Sequence, residues 1–327
     1  MGQMTVTEAV RTSLADEMRR DPTVWALGED LAGGGLYGQY RGLIDEFGPR
    51  RIVSTPISEA TIVGAGLGAA LVGTRPIIEI RIADFVMCAM DELVNQIAKA
   101  RYMFGGQARV PVVVRMPQGI LRNSAAQHSQ SLEAFYAHMP GLVVIAPATA
   151  ADSSGLLKSA IRSDDPVVFL EPKALWGESG EVPEGAPAVP IGKARVAREG
   201  SDVTIIAWSA MVGVAIDAAE QAAATGISIE VIDLRTLWPW DIEAVVSSVS
   251  RTRRLLVVQE SVRAAGFGAE IAATIAEELG GELVAPVRRL GAPRAPVPFS
   301  PVLEECYRID ATAIVHSAQA MFEKIRA

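Results

Sequence analysis

The chain has 327 residues, half of them hydrophobic, and a formal net charge of −8 at pH 7. This composition excludes a disordered chain and argues against nucleic-acid binding, which favours a basic surface. Cys88 and Cys306 form neither a disulfide framework nor a close metal-binding pair, so we expect a reducing, cytoplasmic setting. We expect no membrane partner, because the apolar runs are short and the N-terminal pattern indicates an amphipathic helix rather than a signal peptide.

Short apolar runs alternate with longer helical patterns along the chain. The predicted strands are Val24–Leu27, Ile77–Ile82, Val110–Arg115, Leu142–Ala146, Val167–Leu170, Val203–Trp208, Ile229–Asp233, Leu255–Gln259 and Val287–Leu290. The predicted helices are Thr7–Arg20, Thr61–Val72, Met87–Phe104, Ala151–Ser163, Ala210–Ala224, Asp241–Ser250, Ala269–Leu279 and Thr312–Ile325. Continuously apolar strands are typical of parallel sheets buried on both faces, so the alternation predicts an α/β fold with mainly parallel sheets.

The alternation is interrupted once, in a stretch rich in Gly, Pro and Glu between Gly177 and Gly200. A composition of this kind is typical of a linker. At about 150 residues per domain, the length also predicts two domains. We therefore expect a first α/β domain over residues 1–180, a linker over 181–200 and a second α/β domain over 201–327.

The glycines Gly64, Gly66 and Gly68 resemble a dinucleotide-binding loop, but their spacing does not match and they lie inside a predicted helix. Close packing of that helix against a neighbour is the favoured explanation. The sequence contains neither a P-loop motif nor the nucleophile elbow of serine hydrolases, which argues against both of those classes.

Three side chains are candidates for chemistry, and each has a structural alternative. His128 follows a predicted strand in a polar stretch, and its spacing supports proton transfer and simple loop hydrogen bonding equally. Glu59 falls in the first turn of a predicted helix, which Ser58 is expected to cap; it either serves the helix dipole or shares a proton with a ligand nitrogen. Phe85 ends a strand and suits the core better than a stacking platform.

Ten short motifs occur in order along almost the whole chain. They are GED at Gly28–Asp30, TPISE at Thr55–Glu59, RPIIEI at Arg75–Ile80, DF at Asp84-Phe85, AKARYMFGG at Ala98–Gly106, QHSQS at Gln127–Ser131, PGL at Pro140–Leu142, DPVVFLEPK at Asp165–Lys173, DLRTLWPWD at Asp233–Asp241 and PVPFSPVLE at Pro296–Glu304. Together they resemble the β subunit of thiamine-diphosphate-dependent 2-oxo acid dehydrogenase E1 components, a group that includes the pyruvate, branched-chain and acetoin enzymes.

The resemblance implies a fold and a set of site residues. The expected fold is two three-layer α/β/α domains, a transketolase-like pyrimidine-binding domain followed by a transketolase C-terminal domain. Glu59 matches the family glutamate that hydrogen-bonds N1′ of the cofactor pyrimidine, and Phe85 matches the aromatic residue beside that ring. Glu29 and Ile57 match further cofactor-binding positions. His128 matches the active-site histidine that serves acyl transfer to lipoamide. Ser54 departs from the aspartate common at its position.

The resemblance also implies partners. The family motif for the diphosphate and Mg²⁺, GDG followed by Asn, is absent here and lies in the family on a separate α subunit. The expected assembly is therefore α2β2, with thiamine diphosphate at the interfaces. Related β subunits also bind potassium, mostly through backbone carbonyls. The matching positions here are Val112, Ala160, Ile161, Ser163 and Asp165.

The implied activity is decarboxylation of a small, pyruvate-like 2-oxo acid, or cleavage of acetoin, followed by acyl transfer to a lipoyl-bearing E2 acyltransferase. Two alternatives remain open at this point: half of a split transketolase-like enzyme that needs no lipoamide, and a non-catalytic scaffold chain. The scaffold is the less favoured of the two, because scaffolding requires none of Glu59, Phe85 and His128.

Overall fold

A computed structural model of the chain describes residues 2–322, which divide into two compact units. Unit 1 contains residues 2–119 and 135–191, and unit 2 contains residues 120–134 together with the chain from Gly192 onward. The expected linker, 181–200, contains the end of one short strand, Ser179–Val182, and the whole of another, Arg195–Arg198. The predicted boundaries also placed residues 120–134 in the first domain, whereas the structure groups them with the second. The physical reason is that Ile120 packs into an apolar cluster formed by residues near the C-terminus.

Unit 1 contains eight strands and five complete helices. The strands are β1 (Gly2–Thr5), β2 (Val24–Glu29), β3 (Ile52–Thr55), β4 (Arg75–Glu79), β5 (Val113–Gln118), β6 (Val143–Ile145), β7 (Val167–Pro172) and β8 (Ser179–Val182). The helices are α1 (Val6–Arg20), α2 (Leu43–Phe47), α3 (Glu59–Leu71), α4 (Ala98–Met103) and α6 (Ala150–Arg162). A short helix, α5 (Glu133–Ala137), brings the chain back into this unit from residues 120–134.

The sheet of unit 1 is parallel, as predicted. Its strands adjoin in the order β6-β7-β5-β4-β2-β3. Strands β1 and β8 form a separate antiparallel pair. Helix α1 begins with a capping box, in which the Glu8 amide donates to Thr5 Oγ1 at 3.2 Å and the Thr5 amide donates to Glu8 Oε2 at 2.8 Å.

Unit 2 is a second α/β unit. Its strands are β9 (Arg195–Arg198), β10 (Val203–Ala207), β11 (Ile229–Asp233), β12 (Thr236–Trp238), β13 (Leu255–Val262) and β14 (Arg288–Ala292). Its helices are α7 (Met211–Ala223), α8 (Ile242–Thr252), α9 (Gly268–Leu279), α10 (Pro301–Tyr307) and α11 (Ala311–Gln319). The sheet order is β14-β13-β10-β11-β9, parallel except for β9. The prediction of two mainly parallel α/β units is confirmed.

Two predicted helices differ from the structure. The pattern over Met87–Phe104 forms a 3₁₀ segment at Ala83–Ala89, a π-helical segment at Asp91–Ile97 and then α4. The last predicted helix, Thr312–Ile325, is observed as α11, and its final residues lie outside the described part of the chain. Among residues 2–322, no helix has both the length and the apolar character that crossing a bilayer requires.

Gly66 explains the glycine-rich pattern of α3. A Cβ atom at this position would lie 2.3 Å from Ile78 Cδ1 on β4, so only glycine allows the helix to approach the sheet this closely. At Gly68 an added Cβ would meet nothing within 4 Å. The close-packing explanation therefore holds for one glycine of the three.

A buried ion cluster joins three strands of unit 1. Arg115 on β5 is fully buried; its Nη1 donates to Glu79 Oε2 at 2.6 Å, and its Nη2 donates to Glu171 Oε2 at 2.6 Å. Tyr40 donates its hydroxyl to Glu79 at 3.1 Å, and Trp176 donates its indole N–H to Glu171. Burial lowers the pKa of Arg115, but Glu171 and Glu79 outweigh this effect and raise it overall. Arg115 therefore stays charged in the core, whereas burial raises the pKa of Glu79 despite the neighbouring guanidinium.

Arg115→Met tests the importance of this cluster. The substitution leaves Glu79 and Glu171 buried without a counter-charge, and we expect a loss of about 3–5 kcal/mol in the free energy of unfolding. Urea unfolding followed by circular dichroism measures this loss. Arg109→Met is the matched control, because Arg109 forms an exposed 3.4 Å pair with Asp164 and should contribute about 1 kcal/mol or less. Equal losses in the two variants would contradict the prediction.

Candidate active site

The strands of unit 1 bring several polar residues to one edge of the sheet. Glu29 is the last residue of β2, Thr55 is the last residue of β3, and the two face each other in the strand register. Glu59 follows closely as the first residue of α3. Since parallel strands end at the same edge, and ligands of open α/β sheets bind there, this edge is the candidate site.

Glu59 is partly buried in the first turn of α3, where a negative charge interacts favourably with the helix dipole. The expected cap at Ser58 is wrong in one respect. Ser58 precedes the helix, but its side chain makes no capping hydrogen bond, and only its carbonyl accepts a bond, from the Ile62 amide at 2.9 Å. Glu59 is therefore the polar side chain that serves this helix start.

Glu29 and Glu59 influence each other electrostatically. Burial raises the pKa of Glu29 above the ordinary value of 4.5, and the negative charge of Glu59 raises it further. Asp30 adds to the shift, whereas Arg81, which forms an ion pair with Asp30, opposes it. A carboxyl whose pKa is raised in this way is suited to holding a proton, and here that carboxyl is Glu29.

The same edge carries an unsatisfied hydroxyl and apolar side chains. The Oγ1 atom of Thr55 is buried and has no hydrogen-bond partner within residues 2–322. The Ile57 side chain is 77% exposed, and Phe85 is partly buried in the 3₁₀ segment after β4. Phe85 is therefore not the fully buried core residue that its sequence pattern favoured. A buried polar atom without a partner, beside exposed apolar surface, is typical of a ligand-binding site.

Ser54, where the family pattern has an aspartate, makes a structural hydrogen bond at this edge. Its Oγ accepts a hydrogen bond from the Ala32 amide at 2.8 Å and so supports the turn that follows β2. Together with Thr55 and Arg81, Ser54 belongs to a group of edge residues that sequence patterns did not select. Their importance depends on strand register and burial, for which the sequence gives no direct signal.

His128 lies in the segment 120–134 of unit 2 and is exposed. This segment is the loop predicted to follow the strand now seen as β5. The adjacent Ser129 is buried, and its hydroxyl has no hydrogen-bond partner in the described part of the chain. The histidine is thus presented to solvent by a loop whose next residue is anchored inside the unit.

The residues predicted to bind potassium have backbone carbonyls that accept hydrogen bonds from within unit 1. These residues are Val112, Ala160, Ile161, Ser163 and Asp165. Arg75 Nη1 donates to the carbonyls of Ile161 and Ser163 at 3.2 and 2.7 Å, so a guanidinium already contacts two of the five oxygens. No group of three or more His, Cys, Asp or Glu side chains within residues 2–322 is arranged to hold a metal ion.

Two family descriptions together match most of the chain. Residues 2–178 match the pyrimidine-binding domain of transketolase, and residues 192–314 match the C-terminal domain of transketolase. A solved structure described as a split-gene transketolase in an inactive β4 tetramer shares the fold, with a TM-score of 0.80, 25% identity and 98% coverage of each chain. The class is therefore that of transketolase-type, thiamine-diphosphate-dependent enzymes.

Curated relatives define the family more closely. The chain is 43% identical to the β subunit of an acetoin:2,6-dichlorophenolindophenol oxidoreductase from Cupriavidus necator, with 97% of each chain covered. It is 45% identical to the pyruvate dehydrogenase E1 β subunit of Rickettsia felis (93% of each chain) and to a mitochondrial one from rice (97% of this chain, 86% of the relative). The chain belongs to this family of E1 β subunits, whose enzymes depend on thiamine diphosphate and pair a β with an α subunit.

The residues at the edge of unit 1 fit that cofactor. A partly buried carboxylate, Glu59, is the group that a pyrimidine ring nitrogen requires, while Phe85 and Ile57 offer apolar surface to the ring. The unsatisfied Thr55 hydroxyl leaves one hydrogen-bonding group available for a ligand.

Glu29→Gln tests the electrostatic coupling at this edge. Because the pKa of Glu29 is raised on folding, the folded state binds this proton more tightly than the unfolded state does. The stability that the proton provides is complete below the ordinary pKa of 4.5 and is lost as the pH rises through the folded-state pKa. We expect the wild-type melting temperature to fall relative to that of Glu29→Gln as the pH rises above 4.5.

Thermal unfolding at a series of pH values from 4.5 upward measures this difference. Glu59→Gln serves as the control, because it removes one cause of the shift and should weaken the pH dependence without abolishing it. A difference between wild type and Glu29→Gln that stays constant at every pH would contradict the coupling.

Proposed function

We propose that this chain, assembled with an α subunit as α2β2, decarboxylates a small 2-oxo acid of the pyruvate type or cleaves acetoin. The acyl group then passes to the lipoyl arm of an E2 acyltransferase. The observation that carries this proposal is the placement of Glu59, partly buried at the start of α3 and electrostatically coupled to Glu29. The names of the relatives, with 43–45% identity over most of the chain, support it.

Thiamine diphosphate supplies the electron sink that loss of carbon dioxide from a 2-oxo acid requires. Glu59 would hold a proton at the pyrimidine nitrogen N1′, beside Glu29, whose own pKa is raised by burial and by the charge of Glu59. Phe85 and Ile57 exclude water from the ring and orient it. The diphosphate and Mg²⁺ belong mainly to the α subunit in this proposal, since the sequence lacks the GDG motif.

His128 acts in the transfer step of this proposal. Its imidazole, exposed on the loop of unit 2, donates a proton to the dithiolane sulfur as the lipoyl ring opens. The split transketolase is the main alternative, because its fold is shared at a TM-score of 0.80. The E1 assignment is better supported, because the identity to E1 β subunits is much higher than 25%.

We propose two further properties. Potassium binds near Arg75 through the carbonyls of Val112, Ala160, Ile161, Ser163 and Asp165. Each carbonyl oxygen has two lone pairs, so one hydrogen bond leaves the second for a cation. Equal melting temperatures in KCl and NaCl at the same ionic strength would contradict this site. We also propose a cytoplasmic location, which agrees with the exposed free thiols of Cys88 and Cys306.

Calorimetric titration of thiamine diphosphate with Mg²⁺ tests the proposed assembly. We expect binding to the chain co-expressed with its α subunit and none to the chain alone, because the diphosphate site lies on the partner. Tight binding to the chain alone would contradict the split site. No binding to either sample would favour the scaffold alternative.

Glu59→Gln tests the proton-holding role. We expect the assembled variant to lose about 10²–10⁴-fold in turnover and in hydrogen exchange at C2 of the cofactor, because an amide cannot hold that proton. Circular dichroism should be unchanged. Glu243→Gln, an exposed glutamate in the first turn of α8, is the matched control and should behave like wild type. Wild-type C2–H exchange in Glu59→Gln would overturn the role.

His128→Ala tests the division of labour between the two steps. We expect acylation of lipoamide to be lost, whereas decarboxylation measured with an artificial electron acceptor is retained in part. The loss follows from removing the proton donor, which contributes typically about 10²–10⁴-fold. His138→Ala, another exposed histidine, is the control. Equal loss of both steps in His128→Ala would contradict the assignment.

A further inference from the structure

The sheet of unit 2 has a topological switch point. The chain proceeds from β10 to β11 on one side and later returns to β13 on the other side of β10. Crevices at the carboxyl ends of strands at such points usually bind ligands. Here, side chains near those strand ends, Trp208 after β10 and Glu260 near the end of β13, contact the segment 120–134 instead.

Glu260 joins the two ends of this segment. Its Oε1 accepts a hydrogen bond from the Ile120 amide at 3.3 Å, and its Oε2 accepts one from Ser131 Oγ at 2.9 Å. Ile120 precedes His128 in the chain and Ser131 follows it. One carboxylate therefore closes the base of a loop, which we call the histidine loop (residues 120–131).

Further contacts of unit 2 fix both sides of the histidine loop. On the first side, Glu304 Oε2 accepts a hydrogen bond from the Asn123 amide at 3.0 Å, and Arg308 pairs with Glu304 at 2.7 Å. Just past the other side, the indole N–H of Trp208 donates to Glu133 Oε1 at 3.2 Å. The carboxylates of unit 2 thus anchor the loop from several directions.

The tip of the histidine loop has little regular backbone structure of its own. Asn123 and Ala125 have positive φ angles of 59° and 58°, and the His128 amide bonds the Ala125 carbonyl at 3.4 Å, close to the limit of a hydrogen bond. No helix or strand lies between β5 and α5. The anchors at the base of the loop therefore contribute to the position of His128.

We propose that Glu260 is a positioning residue for acyl transfer: by closing the base of the histidine loop, it sets where the His128 imidazole stands. The proposal rests on the proposed function of His128 as proton donor to the lipoyl ring. Unit 2 then takes part in acyl transfer, through the position of His128. The decarboxylation step depends on the edge of unit 1 and not on Glu260.

The surroundings of Glu260 decide which substitutions are informative. Burial raises the pKa of Glu260, and the negative charge of Glu133 raises it further. The hydrogen bonds from Ser131 and Ile120 and the positive charge of Arg308 lower the pKa of Glu260. Tyr307 is the other titratable neighbour, and its own pKa is raised by burial and by Glu260. Glutamine retains an acceptor for Ile120 and a group able to donate to the Ser131 hydroxyl, whereas leucine retains neither.

The experiment compares Glu260→Leu, Glu260→Gln and Ser131→Ala with wild type in the assembled α2β2 enzyme. Decarboxylation is measured with an artificial electron acceptor, and acylation is measured with a lipoyl domain. We expect Glu260→Leu to slow acylation by about 10–100-fold, because a small misplacement of a catalytic group has an effect of this size. Decarboxylation should stay near the wild-type rate, because Glu260 has no proposed part in that step.

Two variants provide matched comparisons. Glu260→Gln should restore most of the acylation, because it keeps both hydrogen bonds, and Ser131→Ala should give a smaller loss than Glu260→Leu. Glu278→Leu, an exposed glutamate on α9, is the control for adding leucine to unit 2 and should change neither step. Equal losses of both steps in Glu260→Leu, or an unchanged acylation rate, would overturn the positioning role.

Limited trypsin digestion of the full chain gives a readout that needs no activity. Arg122 is an exposed cleavage site inside the histidine loop. If Glu260 closes the loop, cleavage after Arg122, followed by mass spectrometry, becomes faster in Glu260→Leu and stays near the wild-type rate in Glu260→Gln and Glu278→Leu. Unchanged cleavage in Glu260→Leu would contradict the closure of the histidine loop by Glu260. Failure of the wild-type assembly to acylate lipoamide would instead contradict the proposed function.

Discussion

A single buried guanidinium joins the parts of unit 1 that form the edge of its sheet. Arg115 lies on β5 between two carboxylates, Glu79 at the end of β4 and Glu171 on β7, at 2.6 Å from each. A core can hold two carboxyl groups and one guanidinium only if hydrogen bonds compensate for their lost hydration. Besides the bonds from Arg115, Tyr40 donates to Glu79 and Trp176 donates to Glu171. This cluster links β4, β5 and β7, and β4 pairs directly with β2, whose last residue is Glu29 of the candidate site.

The two units contribute different chemistry. The edge of unit 1 gathers acidic and apolar groups around Glu59, and in the proposed function these groups hold a proton and receive the cofactor ring. The loop that carries His128 is built on unit 2, and its anchors are carboxylates of that unit. In the proposed function, the group that acts on the cofactor belongs to unit 1 and the group that acts on the acyl acceptor belongs to unit 2. Each can change without rebuilding the other, which agrees with a family whose members are named for different substrates.

The sequence predicted the central strands well, because a run such as Val203–Trp208 is apolar at every position except Thr204, which is typical of a buried strand. Short edge strands such as β9, which begins and ends with an arginine, carry no comparable signal. Glu59 was placed correctly at a helix start, yet the predicted Ser58 cap does not form, since capping depends on a side-chain rotamer. The unsatisfied Thr55 hydroxyl and the hydrogen bonds of Glu260 to the histidine loop depend on tertiary structure, and no local sequence pattern indicates them. The bond between Ser131 and Glu260, for example, joins residues 129 positions apart in the chain.

The discontinuity of unit 2 has a consequence for biosynthesis. Residues 120–134 leave the ribosome before the strands and helices that hold them. Glu260 and Glu304 are made only after about 125 to 185 further residues, roughly six to forty seconds at about 5–20 residues per second. During that interval Ile120 is an apolar side chain without its cluster partners. Unit 1 therefore folds while the histidine loop still lacks its contacts. A chain that ended at residue 191 would lack Glu260 and Glu304, whose hydrogen bonds hold this loop.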